Sequence, residues 1–77
     1  MTTSQLIGAI RKWTAANGRS PTRDELLVAL ATMLNQQVDS ADVDELLDRA
    51  ISARVIGKDA DGGYVVLKYI QKGTNDV

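Results

Sequence analysis

Asn17-Gly18-Arg19-Ser20-Pro21-Thr22-Arg23-Asp24-Glu25 decides the fold of this 77-residue chain. Gly18 can take the left-handed conformation that ends a helix. Pro21 cannot continue a helix, and it biases Ser20 toward an extended shape. Thr22 and Glu25 stand three apart, just before the apolar run that begins at Leu26. That spacing makes a capping box, in which the Thr22 hydroxyl accepts from the Glu25 amide and the Glu25 carboxylate accepts from the Thr22 amide. One helix therefore closes at the start of the stretch, and another opens at its end.

Upstream, Leu6, Ile7, Ile10, Trp13 and Thr14 repeat at helical spacing. They predict a first helix from about Ser4 to Asn17, capped by Thr3 or Ser4. Trp13, the only Trp, lies on the apolar stripe and is expected to anchor the core, while Arg11 and Lys12 lie off it. Downstream, Leu26, Leu27, Leu30, Met33 and Leu34 form a second stripe that should end near Asn35 or Gln36. Val43, Leu46, Leu47, Ala50 and Ile51 form a third, from about Ala41 to Ala53 or Arg54, with Asp39 or Ser40 as its cap.

The period then changes. Val55-Ile56-Gly57-Lys58 and Tyr64-Val65-Val66-Leu67-Lys68-Tyr69-Ile70 are β-type runs around the turn residues Asp59-Ala60-Asp61-Gly62-Gly63. They read as a β-hairpin, with Val65, Leu67 and Tyr69 assigned to the core face and Tyr64, Val66, Lys68 and Ile70 to the other. Residues 1–70 are expected to form one domain and 71–77 a flexible tail. Short amphipathic helices must share one core, with the hairpin covering an open side. The fold class is therefore mainly α with a small β-hairpin: a three-helix winged helix-turn-helix.

Composition narrows the function. Hydrophobic residues make up 44% of the chain, enough for a globular core. There is no Cys, hence no disulfide and no thiolate metal site, and no apolar run approaches the roughly 20 residues that span a bilayer. The first residues lack a basic leader, which points to a cytoplasmic protein. Without His or Cys, common acid-base and thiol catalysis is unavailable, so no enzyme is expected, and no cofactor or metal. Asp59-Ala60-Asp61-Gly62-Gly63 lacks the third acid and the distal Glu of an EF-hand and reads as a turn.

Net charge is −1, but the charges fall in blocks. Residues 1–23 carry Arg11, Lys12, Arg19 and Arg23 and no acid. Residues 24–48 carry Asp24, Glu25, Asp39, Asp42, Asp44, Glu45 and Asp48 and no base. The remainder is mildly basic, through Arg49, Arg54, Lys58, Lys68 and Lys72 against Asp59, Asp61 and Asp76.

Gly18-Arg19-Ser20-Pro21-Thr22-Arg23-Asp24-Glu25-Leu26 resembles the G-x-x-P-T-R-x-E-[IL] run that joins the first two helices of the LexA-type winged-helix DNA-binding domain. Leu47, Ala50-Ile51 and Ala53-Arg54-Val55-Ile56 resemble that family's exit from recognition helix to wing, and Gly62-Gly63-Tyr64-Val65-Val66-Leu67 its second wing strand. The family's peptidase domain has no counterpart in these residues. The resemblance implies a small DNA-binding transcriptional regulator, of the kind carried by phages or plasmids, with double-stranded DNA as partner. Its candidate contacts are Arg19, Arg23, Ser40, Arg49, Arg54, Lys58 and Lys68, mostly toward phosphates.

The third helix opposes that reading. A recognition helix turns its first turns toward base edges. Here those positions hold Asp39, Ser40, Ala41, Asp42, Asp44, Glu45 and Asp48. The alternative is a protein-interaction module, an inhibitor or adaptor, whose Asp42, Asp44, Glu45 and Asp48 meet a basic protein partner. The outer hairpin strand, with Tyr64, Val66 and Ile70, would also allow a homodimer by edge pairing.

Overall fold

The computed structural model of the chain describes residues 1–67. Three helices and a two-stranded antiparallel sheet follow one another: α1 (Thr3–Asn17), α2 (Arg23–Leu34), α3 (Ser40–Ser52), β1 (Ile56–Lys58) and β2 (Tyr64–Val66). The arrangement is mainly helical with a small hairpin and is compatible with a winged helix. Lys68, Tyr69, Ile70 and the expected tail lie outside the described residues.

The helix ends follow local chemistry. α1 starts one residue earlier than the expected caps allow, because Thr2 forms a capping box with Gln5. Gly18, at φ 73°, closes α1. At α2 the expected box is present: Thr22 Oγ1 accepts from the Glu25 amide, and Glu25 Oε1 accepts from the Thr22 amide at 2.9 Å. Asp39 caps α3 by accepting from the Ala41 amide at 3.0 Å.

α3 ends in a Schellman motif: the Arg54 amide donates to Ile51 O and the Val55 amide to Ala50 O, both at 3.0 Å. The residue turned into the left-handed region is Arg54, at φ 62°, where Gly is usual. A side chain in that region costs roughly 1 kcal/mol.

The core is one cluster. Leu6, Ile7 and Ile10 enter from α1, Leu26 and Leu30 from α2, Val43, Leu46, Leu47 and Ala50 from α3, and Val55, Ile56 and Tyr64 from the hairpin region. Two stripe residues lie at its margin instead: Met33 and Ile51 are each 37% exposed. Trp13 also stands outside the cluster, only half-buried on the flank of α1, so it is not the core anchor expected of it.

The hairpin faces are the reverse of the assignment from sequence. Asp59 sets the register: its amide donates to Gly63 O, and its Oδ1 accepts from the Asp61 and Gly63 amides. This pairs Lys58 with Tyr64 and Ile56 with Val66. Directly paired residues share a face. Ile56 is buried at 1% exposure, so Tyr64 and Val66 turn inward with it, and Leu67 is left 58% exposed. The alternation of apolar residues in the run fitted either face. The buried neighbour across the strand decides.

A third extended piece borders the sheet. The Tyr64 amide donates to Pro21 O at 2.8 Å, away from β1. The edge considered for homodimer pairing is thus engaged at Tyr64, and Tyr64 itself is buried.

Candidate interaction surface on α3

The surface begins at the start of α2. Arg19 extends back from the turn, and its guanidinium donates to both Glu25 oxygens, at 2.9 and 2.6 Å. Its plane lies over the Trp13 ring, 4.6 Å from the centroid, a cation–π contact. Glu25 therefore holds Arg19 and the Thr22 amide at once. Arg19 first, and the Thr22 amide next, hold its carboxyl down from 4.5 to about 2.

That shift has a sign. A carboxyl depressed in the folded state adds stability that is present above its unfolded pKa of about 4.3. The contribution drains away as pH falls through the folded value. Thermal midpoints should fall between about pH 4.5 and about pH 2. Asp44 and Asp59 add to the fall, because hydrogen bonds from Arg23 and from the Gly63 amide, respectively, hold their pKa values down. Glu25→Gln should flatten part of this acid dependence, and a variant as acid-sensitive as the parent chain would refute Glu25's share in it.

One turn further on, Arg23 reaches α3. Its Nη2 donates to Asp44 Oδ2 at 2.8 Å and its Nε to Oδ1 at 2.5 Å, a bidentate pair that ties the start of α2 to α3. A looser contact, 3.6 Å, runs from Arg23 to Asp24. On α3 itself Arg49 Nη2 donates to Glu45 Oε2 at 3.2 Å, one turn apart.

The sequence-derived residues therefore divide. Arg19, Arg23 and Arg49 each hold a carboxylate. Lys58 covers the Tyr64 ring, with Nζ 5.4 Å from the centroid. Arg54 is exposed, and neither it nor Lys58 makes an ion pair among the described residues. Ser40 is the first residue of α3 and is exposed. Lys68 lies outside the described residues.

Of the acids, Asp44 is committed to Arg23 and Glu45 to Arg49. Asp42 and Asp48 are exposed and make no ion pair among the described residues. Asp42 sits in the first turn, where the helix dipole favours it, and Asp48 is two turns on, beyond that help. A shallow depression of about 160 Å³ lies between Met1, Asp42, Glu45, Leu46 and Arg49. Among the described residues no three acids gather closely enough to hold a metal ion, and no helix is long and apolar enough to cross a membrane.

The three pairings were hidden to different degrees in the sequence. Glu45 and Arg49 stand at helical i,i+4 spacing and could have been paired from it. Arg19 and Glu25 are six apart across a turn, and Arg23 and Asp44 are 21 apart. Reading the charges as separate blocks concealed both, because each pair joins one block to the next. The chain matches no protein-family model, no curated protein and no solved structure. The chemistry of the surface therefore rests on its own geometry.

Proposed function

We propose that the chain is a protein-interaction module, of the inhibitor or adaptor kind, that offers the acidic face of α3 to a basic protein partner. The observation that supports this reading is the unequal state of the charges. Three of the arginines suited to phosphate contact are already held by carboxylates, whereas Asp42 and Asp48 are exposed without an ion pair among the described residues. A polyanion would have to break those pairs before gaining contacts, and it would meet uncompensated acid on the helix meant to read it. A basic partner meets the same face with complementary charge, which steers encounter.

DNA binding by a LexA-type winged helix stands as the second reading. Arg54 and Lys58 favour it, because both lie on the hairpin side of α3 and are free of acids among the described residues. Two cations give weak and strongly salt-dependent binding.

One titration separates the two. The chain is titrated with an oligolysine peptide and, separately, with random duplex DNA, at low and moderate salt. The interaction reading expects peptide binding that weakens with salt, and no DNA binding at low salt. Asp42→Asn, Glu45→Gln and Asp48→Asn together should weaken peptide binding about tenfold, the scale of a small surface-charge contribution. Asp61→Asn, in the turn between the two strands, should change it far less. DNA binding at low salt, or peptide binding indifferent to the α3 changes, would overturn the proposal.

A further inference from the structure

The turn that closes α1 carries a reactive pair. Asn17-Gly18 is the one Asn-Gly step in the chain; Asn35 precedes Gln36, and Asn75 precedes Asp76. Glycine suits the position because Gly18 ends the helix at φ 73°. Having no Cβ, it also leaves its own amide nitrogen open to approach by the side chain before it. The helix end and the reactivity thus come from one residue. Ala15, Ala16, Asn17 and Gly18 are exposed, and no residue of this last turn belongs to the core cluster.

In the closed helix the two groups are kept from meeting. The Gly18 amide donates to Thr14 O at 2.8 Å, and Asn17 Nδ2 donates to Trp13 O at 2.9 Å. The Asn17 side chain is thereby turned back toward the preceding turn, while the Gly18 nitrogen lies ahead of it in the chain. Both bonds must break before that nitrogen reaches Asn17 Cγ. The residue after the pair is tethered as well, since Arg19 stacks on Trp13 and binds both Glu25 oxygens. Opening the turn works against that clamp but leaves the core closed.

We infer that Asn17 is a deamidation site, gated by fraying of the last turn of α1 against the Arg19 clamp, and that its conversion to an acid loosens the end of the helix. In the open turn the Gly18 nitrogen loses its proton to hydroxide and attacks Asn17 Cγ. A new C–N bond closes a succinimide ring, the Cγ–Nδ2 bond breaks, and the leaving nitrogen takes a proton from water and departs as ammonia. Water then opens the ring at either carbonyl, leaving aspartate or isoaspartate. The balance is water in and ammonia out. The product carboxylate cannot donate to Trp13 O, and it sets negative charge at the negative end of the α1 dipole. Isoaspartate also adds a carbon to the backbone just before the turn. The inference rests on neither reading of α3.

Mass spectrometry of the tryptic peptide that contains Asn17, after the full chain has stood at mildly alkaline pH, tests it. The folded chain should convert Asn17 about tenfold more slowly than the chain unfolded in urea, the factor that a shallow local opening imposes. Urea below the unfolding transition should change the folded rate little, because fraying exposes little surface. Arg19→Gln should raise the folded rate about fivefold, the scale of an exposed ion pair with a cation–π contact, while circular dichroism stays that of the parent chain. Asn17→Asp, which reproduces the acid product, should lower the thermal midpoint by about 4–8 °C. Equal rates in the folded and unfolded chains, no conversion in the folded chain, a folded rate that climbs steeply with urea, indifference to Arg19→Gln, or an Asn17→Asp chain as stable as the parent would each overturn the inference.

Discussion

Gly63→Ala is expected to destabilise the protein by about 2 kcal/mol, the usual cost of forcing a methyl group into a packed site. A Cβ at Gly63 would lie 2.7 Å from Ser20 Cβ and 2.9 Å from Ser20 O. Neither side can yield. Gly63 accepts from the Asp59 amide and donates to Asp59 Oδ1, and the next residue is bonded to Pro21. Ser20 sits between the end of α1 and the capped start of α2. The substitution must therefore part the hairpin from the turn or distort both. Denaturant unfolding should show a lower midpoint at unchanged slope, and the thermal midpoint should fall by roughly 8–16 °C for a chain of this size. Gly8→Ala is the matched control. A Cβ there meets nothing within 4 Å, and in mid-helix Ala should gain about 0.5–1 kcal/mol. A Gly63→Ala protein as stable as the parent would mean that the turn and the hairpin are not in contact as described.

Leu30→Ala should cost more, about 3 kcal/mol, from lost burial and the cavity left behind. Leu30 is fully buried, and with Leu26 it supplies all of the fully enclosed surface of α2. A domain of this length has only about 4–11 kcal/mol to lose. The variant should unfold far earlier in urea than the parent. Met33→Ala, at a residue 37% exposed, should cost well under half as much. Equal costs at the two positions would place the core of α2 on the wrong face.

The fold was legible where the chemistry is local. The Thr22–Glu25 box, Gly18 and Asn35 at helix ends, and the Asp59–Gly63 turn each act over a few residues, and each appears as its spacing suggested. What failed depended on which side of an element meets a neighbour. Trp13 and Ile51 sit on apolar stripes, but the core is narrower than those stripes and leaves them at its edge. In the hairpin both faces offered apolar residues, and only the cross-strand pairing with buried Ile56 settled the choice. The candidate surface was legible in its residue types, since the acids of α3 were visible at once. Its charge balance was not, because Arg23 meets Asp44 only after α2 and α3 are packed together.

The hydrogen bond from Tyr64 to Pro21 joins two residues 43 positions apart by way of α2, α3 and β1. Helices and the hairpin can each form from neighbours in the chain, on timescales of microseconds. That bond cannot, because closing so long a loop costs entropy before any contact repays it. Docking of the hairpin is therefore a non-local step, and it brings the Tyr64–Pro21 bond and the Ser20–Gly63 contact together. The turn that separates α1 from α2 is thus also the seam at which the hairpin meets the helices.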